Sequence, residues 1–339
     1  MNPVRWGAAF ACLSIQAAAA PFQDALRPAG PQAAHIYDLW QLMLWTCTAV
    51  TIAVLLALLI ALVRAPRSTP ATPPDIASLT RPEPRVRAAV IAAVAVSVVL
   101  LLGLILASVL ADRALAALPL PRAVNIEVTA HQWWWEIRYD PTDPSRMFTT
   151  ANELHIPVGR PVLVTLKSDD VIHSFWVPNL HGKLDLIPGR TSLIRLRADQ
   201  SGVYRGQCAE LCGYQHANMA FLVVAEPDDV FERWAQAQRQ TPPPPTDPVT
   251  KRGQEVFLTS TCAMCHAIQG TPAGGQKGPD LTHLAGRRTL AAATMPNTVA
   301  HLAGWIVDPQ NIKPGVNMPQ NALPGEDLQA LLAYLGTLQ

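Results

Sequence analysis

The chain has 339 residues, half of them apolar and only 15% charged, against roughly 25% charged in an average soluble protein, so part of it belongs in lipid and its length calls for two or three domains. Its 26 Lys and Arg nearly balance 25 Asp and Glu, for a formal charge of +1. That excludes a broad basic field for nucleic acid and leaves no acidic tail.

Residues 1–20 hold one arginine, Arg5, then an apolar stretch from Trp6 to Ile15 and the small residues Ala17 to Ala20, a pattern that predicts a secretory signal. Cys12 lies too early in that stretch for a lipid-attachment cysteine, and no role is assigned to it. Residues 21–121 predict a transmembrane hairpin. The run from about Ile36 to Val63 is apolar apart from Asp38 and Gln41, and Ala88 to Leu110 carries no charge. At 1.5 Å per residue each is long enough for a hydrocarbon core of about 30 Å. Between them Arg64, Arg67, Arg81, Arg85 and Arg87 stand against only Asp75 and Glu83. The positive-inside rule therefore puts this loop in the cytoplasm and both chain ends outside.

Residues 122–240 change texture. Short runs (Val124 to Thr129, Glu153 to Ile156, Pro161 to Lys167, Ser192 to Arg197, Ala220 to Val224) are separated by Gly, Pro and Asp, which predicts an all-β sandwich or barrel. Asp228 to Gln240 has helical character. Residues 241–248, TPPPPTDP, form a stiff extended linker, since consecutive prolines favour polyproline II geometry. Residues 249–339 are short helical stretches punctuated by Gly and Pro, with a closing helix near Glu326 to Leu338.

Four of the six cysteines form tight pairs, Cys208/Cys212 and Cys262/Cys265, unlike a spread disulfide framework. The string Cys208-Ala-Glu-Leu-Cys212-Gly-Tyr-Gln-His216-Ala-Asn-Met219 gathers two thiols, an imidazole and a thioether on one loop, a donor set that suits copper. If each thiolate bridges two metals, each metal needs one histidine and a weak axial donor, and His173, at a strand end upstream, can supply the second imidazole. Structural zinc sites use the same Cys and His donors but pair two such clusters and make no use of methionine. A Cys208–Cys212 disulfide would leave His216 and Met219 unexplained.

With Asp170-Val-Ile-His173-Ser-Phe-Trp-Val-Pro and Ile187-Pro-Gly-Arg190, this string resembles subunit II of haem–copper cytochrome c oxidases, the family bearing the CuA centre, over about Pro21 to Gln240. The resemblance implies a cupredoxin-like Greek-key domain in which Cys208 and Cys212 bridge both coppers. His173 and Met219 would complete one copper, and His216 with the backbone carbonyl of Glu210 the other. It also implies that the Glu210 carboxylate reaches a magnesium site shared with the catalytic subunit, a surface salt bridge being the plainer reading. Gln132-Trp133-Trp134-Trp135-Glu136 matches the family's aromatic cluster, whose first tryptophan, here Trp133, is where electrons enter. Alternate strand residues point to opposite faces, so at least one of the three tryptophans is exposed or at an interface, and Trp134 reads as an interface residue. Family members commonly carry a glutamate at the cytoplasmic start of the second helix that feeds a proton channel. Here the stretch is Arg85-Val-Arg-Ala with Glu83 as a rough positional match, a departure that argues against proton uptake through this subunit.

Cys262-Ala-Met-Cys265-His266 is the C-x-x-C-H pattern of covalent c-type haem attachment, two thiols for the vinyl groups and a histidine for the iron. Its surroundings from about Asp247 to Gln339 resemble class I cytochrome c: Gly253-Gln-Glu-Val-Phe257 the opening helix, Gly278-Pro279-Asp-Leu281 the proline loop, and Glu326 to Leu338 the closing helix. The resemblance implies Met318, in Asn317-Met318-Pro319, as distal ligand. Met295, also followed by proline, is the alternative, and Met264 lies inside the attachment loop. His35, His131, His155, His181, His283 and His301 read as surface or packing residues, and Trp305 as core at the haem edge.

The expectation is a multi-domain membrane protein with a two-helix hairpin, an all-β cupredoxin-like domain and an all-α cytochrome c domain. Both resemblances together imply subunit II of a caa-type oxidase in a bacterial inner (plasma) membrane, with its copper and haem domains on the periplasmic or outer side. Electrons would pass from a cytochrome c or a quinol:cytochrome c reductase through haem c and CuA to subunit I, the catalytic subunit that reduces oxygen to water with proton translocation, and subunit III is a further expected partner. The alternatives are a CuA subunit of a haem–copper nitric oxide reductase and a membrane-tethered copper and haem binding protein. A quinol oxidase subunit is a weaker reading, because that branch has lost the copper ligands present here.

Overall fold

The structure, a computed structural model, describes residues 23–65, 69, 71–73, 76, 80, 82–140 and 142–339. The expected signal with Cys12, and Arg67, Asp75 and Arg81 of the charged loop, lie outside the described residues.

Two long helices come first, α1 (Pro31–Arg64) and α2 (Pro84–Ala116). Each has proline in its first turn, where the missing N–H costs no helical bond. Their most apolar windows have mean hydropathies of 2.7 and 3.1 with none of the window buried, so both are long and apolar enough to cross a membrane. They run past the apolar stretches because their ends are tied to the next domain. The amide of Ala29 donates to Asn179 O and that of Ala33 to Leu180 O, while Arg195 donates to Ala116 O at 2.6 Å.

Two five-stranded sheets follow. In the first, β3 (Phe148–Ala151), β2 (Trp134–Tyr139), β1 (Val124–His131), β5 (Val162–Ser168) and β8 (Ser192–Leu196) lie in that order. In the second the order is β4 (Glu153–Pro157), β10 (Ala220–Glu226), β9 (Gly202–Cys208), β6 (His173–Trp176) and β7 (Leu184–Leu186). Strand β1 runs parallel to β5, with Val124 beside Val162, and antiparallel to β2. Alternate residues of β1 (Val124, Ile126, Val128, Ala130) are buried and share one core with Leu154, Ile156, Phe175 and Val223 of the other sheet, as in a two-layer sandwich. Helix α3 (Asp228–Gln238) sets Trp234 against Tyr139 and Phe148 and flat on His155, ring centres 4.0 Å apart.

After the proline run the chain is helical: α4 (Pro248–Thr259), α5 (Cys262–Cys265), α6 (Val299–Val307), α7 (Pro309–Ile312) and α8 (Gly325–Leu335), with a short ribbon of β11 (Thr289–Leu290) and β12 (Met295–Pro296). Asp247 caps α4 by accepting from the amides of Val249 and Thr250. Helices α4 and α8 cross so closely that a Cβ on Gly253 would lie 2.0 Å from Ala330 O, so only glycine fits there.

The sandwich and the helical domain are in direct contact. Glu153, buried in β4, accepts from the amides of Arg288 and Thr289. Gln215 donates to Pro314 O at 2.7 Å. His283 lies between the carbonyls of Gln238 and Gln339, a packing role. Ala291, Ala292 and Ala293 all have left-handed φ, 51, 59 and 57°, a conformation that costs L-residues about 1–2 kcal/mol each. Two of their carbonyls are held by the sandwich: Ala292 O accepts from the amide of Ala220, and Ala293 O from Arg205.

Candidate copper and haem sites

Strand β9 ends at Cys208, and the loop that follows returns through a short 3₁₀ turn at His216–Asn218 to start β10. The return is fixed by the Cys208 amide, which donates to Met219 O. The two thiols are thereby brought face to face inside the sandwich end, Sγ to Sγ 3.7 Å, both 2% exposed. Around them lie His173 Nδ1, 3.8 Å from Cys208 Sγ, and His216 Nδ1, 3.6 Å from Cys212 Sγ. Met219 Sδ is 3.8 Å from Cys212 Sγ, and Glu210 O is 3.2 Å from Cys208 Sγ. Each sulfur thus has one imidazole nitrogen and one weak donor beside it, and His173, Cys208 and Cys212 form a buried cluster of metal-ligand atoms.

The chemistry of the donor set fits a pair of soft cations. The contact between the two sulfurs holds the Cys208 thiol far below its usual range in spite of burial and pushes Cys212 up. One thiolate forms readily, and a second beside it needs positive charge, which a bound soft cation would supply. Burial alone would lower His173, but the Asp170 carboxylate, 2.7 Å from Nε2, and the Cys208 thiolate raise it above the usual histidine range. With Nε2 held by Asp170, Nδ1 is left facing the sulfurs. The other oxygen of Asp170 accepts from the amide of Gln132 at 2.6 Å. Glu210 keeps its carboxylate at the surface, 3.4 Å from Lys183 Nζ.

Trp133 sits in the turn before β2 and is 9% exposed. Its indole N–H donates to Cys212 O at 3.0 Å, and Gln132 Nε2 donates to the same carbonyl. Trp134 starts the strand, half-buried and stacked on His131, and Trp135 is fully buried among Phe175 and Phe221.

In the helical domain Cys262, Cys265, His266, Trp305 and Met318 line one cavity of about 420 Å³. His266 Nδ1 lies 2.7 Å from Pro279 O, which leaves Nε2 as a free donor atom, and burial lowers its pKa, keeping it neutral as a ligand must be. A Cβ on Gly278 would come within 2.6 Å of that ring. Arg287 also lines the cavity, and its buried Nε has no partner among the described residues, a donor left for an anionic group. Apolar walls, a free imidazole nitrogen, a thioether and a buried guanidinium suit haem. Met295 is tied into the β11–β12 ribbon and is not among the lining residues. Gln132, Trp133, Trp134 and Asn152 of the sandwich, by contrast, form part of the wall.

Asp170, Gln132, Gln215, Glu153, Arg287 and Lys313 were without assigned roles at the level of sequence. Asp170, Gln132 and Gln215 lay inside strings already singled out, Asp170 three residues before His173 and Gln215 one before His216, whereas Glu153, Arg287 and Lys313 had no signal. Lys313 is 1% exposed, and burial lowers its side-chain nitrogen to about 7, with the nearby Cys212 opposing.

Residues 141–226 match the family model of the periplasmic domain of cytochrome c oxidase subunit II, and residues 250–339 match that of cytochrome c. The chain is 41% identical over 217 residues to a cytochrome c oxidase subunit 2 of Alkalihalophilus pseudofirmus, covering 64% of this chain and 61% of the relative. It is 31% identical over 227 residues to that of Bacillus subtilis, covering 64% and 63%. It therefore spans a little over three fifths of the length of these relatives. Among solved structures, the periplasmic domain of subunit II of cytochrome oxidase of Bradyrhizobium japonicum is 30% identical, covering 36% of this chain and 97% of that one, with a TM-score of 0.33.

Proposed function

We propose, from a chain that joins a cytochrome c oxidase subunit II domain to a cytochrome c domain, that it is the electron-transfer subunit of a haem–copper terminal oxidase. It takes electrons from a cytochrome c donor at its own covalently held haem c and passes them by its dinuclear copper to the catalytic subunit, on the outer side of a bacterial inner membrane. Bound haem and copper would supply reversible one-electron carriage. The chain's residues do the rest. Cys262 and Cys265 anchor and His266 and Met318 ligate on one side, while Cys208, Cys212, His173, His216, Met219 and the Glu210 carbonyl do so on the other. The observation that carries the reading is Trp133, which lines the haem cavity and donates its indole N–H to the carbonyl of the copper ligand Cys212.

The copper loop also offers a face to a partner. Leu211 is 77% exposed and Tyr214 93%, apolar surface beside the ligands that suits docking on the catalytic subunit. A magnesium ion at that contact would take the Glu210 carboxylate from Lys183.

Metal and haem analysis of the native membrane complex tests the whole reading. Two coppers and one covalent haem c per copy of this chain, with haem a and further copper from the partner, are expected. Zinc in the Cys208/Cys212 site, a single copper at saturation, or a chain that purifies alone would refute it. Trp133→Gln should leave both centres loaded and slow copper re-reduction from pre-reduced haem, and an unchanged rate would remove Trp133 from the path.

A further inference from the structure

The loop that leads to Met318 is fastened to the copper domain at successive residues. Lys313 Nζ donates to the carbonyl of Trp133 at 2.8 Å and to Ala291 O at 3.1 Å. Pro314 O accepts from Gln215, which lies one residue before the ligand His216. A Cβ added at Gly315 would rest 3.7 Å from the Trp133 ring, and Val316 packs on the sandwich core. Within the haem domain, Gln310 then ties the carbonyls of Val316 and Met318 together.

A buried lysine is rare unless paired, and here none of the described carboxylates pairs with it; its recorded hydrogen bonds go to carbonyls. Leucine or methionine would fill the same volume without desolvating an amino group. What Lys313 adds is direction, because it joins three things that otherwise have no common anchor. These are the main chain of the tryptophan between the two sites, the left-handed alanine turn that walls the cavity, and the loop carrying the distal methionine.

We propose that Lys313 is a positioning residue for electron transfer within the chain: it clamps the haem domain to the copper domain in one fixed pose, with the Met318 loop held against Trp133. Glu153, accepting from the amides of Arg288 and Thr289, adds a second tie to the same interface. The inference rests on the relay described above, so its test needs one readout that does not depend on the relay.

Hydrogen exchange on the intact complex supplies that readout. Three amides report the clamp, because each donates across the interface: Ala220 to Ala292 O, and Arg288 and Thr289 to Glu153. In Lys313→Met their exchange should rise by about tenfold or more as the domains open locally, while amides of the β1–β5 ladder stay protected. In parallel, copper re-reduction from pre-reduced haem should be independent of solvent viscosity in the unaltered protein. In the variant it should become slower and viscosity-dependent, because the domains must first re-dock, with the copper absorption and covalent haem retained. Unchanged exchange together with an unchanged, viscosity-independent rate would overturn the clamp. If haem fails to reduce copper even in the unaltered protein, the relay falls, and the exchange data still decide the clamp. Should Lys313→Met fail to load its cofactors, Glu153→Ala, which alters no ligand, is read the same way: faster exchange at Ala220 supports a single cooperative interface, and unchanged exchange there overturns it.

Discussion

Replacing Asp170 by asparagine tests the copper site through a residue that does not touch the metal. One oxygen of Asp170 is 2.7 Å from both His173 Nε2 and the amide of Val171, and the other is 2.6 Å from the amide of Gln132, so the carboxylate faces three donors, two of them on the same oxygen. An asparagine presents one oxygen and one NH₂, and whichever way it turns, either the imidazole with the Val171 amide or the Gln132 amide loses its acceptor. A hydrogen bond to a charged group is worth about 1.5–3 kcal/mol, and loss of a residue that orients a ligand histidine typically costs about 10–100-fold in metal affinity. The two estimates agree, since tenfold is about 1.4 kcal/mol. The assay is competition for copper between the full-length chain and a chelator of known affinity, followed by the visible absorption of the thiolate-bound metal. Covalent haem content serves as the internal control, because its ligands lie in another domain. Copper affinity within a factor of about two of the unaltered protein would refute the orienting role of Asp170.

Met318→Leu should leave haem covalently attached and lower its reduction potential, with loss of thioether ligation seen in the ferric spectrum; the same change on Met295→Leu instead would reassign the distal ligand. Gly278→Ala should cut covalent haem incorporation severalfold, because its Cβ would lie 2.6 Å from the His266 ring, and full haem content would show that the loop yields. Leu211→Ser combined with Tyr214→Ser should weaken co-purification with the catalytic subunit while copper content holds. Retained association at high detergent would place the docking face elsewhere.

The two long helices and the strands β1, β4, β5, β8 and β10 were legible because their patterns are simple. Strand β1 alternates buried and half-exposed residues as a one-sided strand should. Strand β10 reads as a continuous apolar run because nearly all of it is buried, with Ala220 and Leu222 packed on Ala293 of the haem domain. Strands β3 and β7 escaped because they are four and three residues long, β6 because it reads as a metal-binding motif, and β9 because Arg205 and Gly206 interrupt it. The tryptophan run misleads in a physical way. Read as one strand it must split between faces, whereas the chain turns at Gln132 and Trp133, so Trp133 reaches an interdomain wall that alternation does not describe. The residues proposed as ligands stood out because Cys, His and Met at these spacings have few other uses. The interface was not, because nothing next to Lys313 or Glu153 in sequence marks a charged side chain that will be enclosed by another domain.

The left-handed turn at Ala291–Ala293 bears on how the haem domain can be studied. Three alanines held there carry about 3–6 kcal/mol of conformational cost, offset in part by donors from the sandwich, the Ala220 amide and Arg205. A haem domain excised at the proline run keeps the cost and loses those donors, so its turn relaxes and the cavity wall that includes Ala291 and Ala292 changes shape. Potentials and ligand-exchange rates measured on the excised module therefore describe a different conformer from the one that faces copper, and only the uncut chain reports the working one.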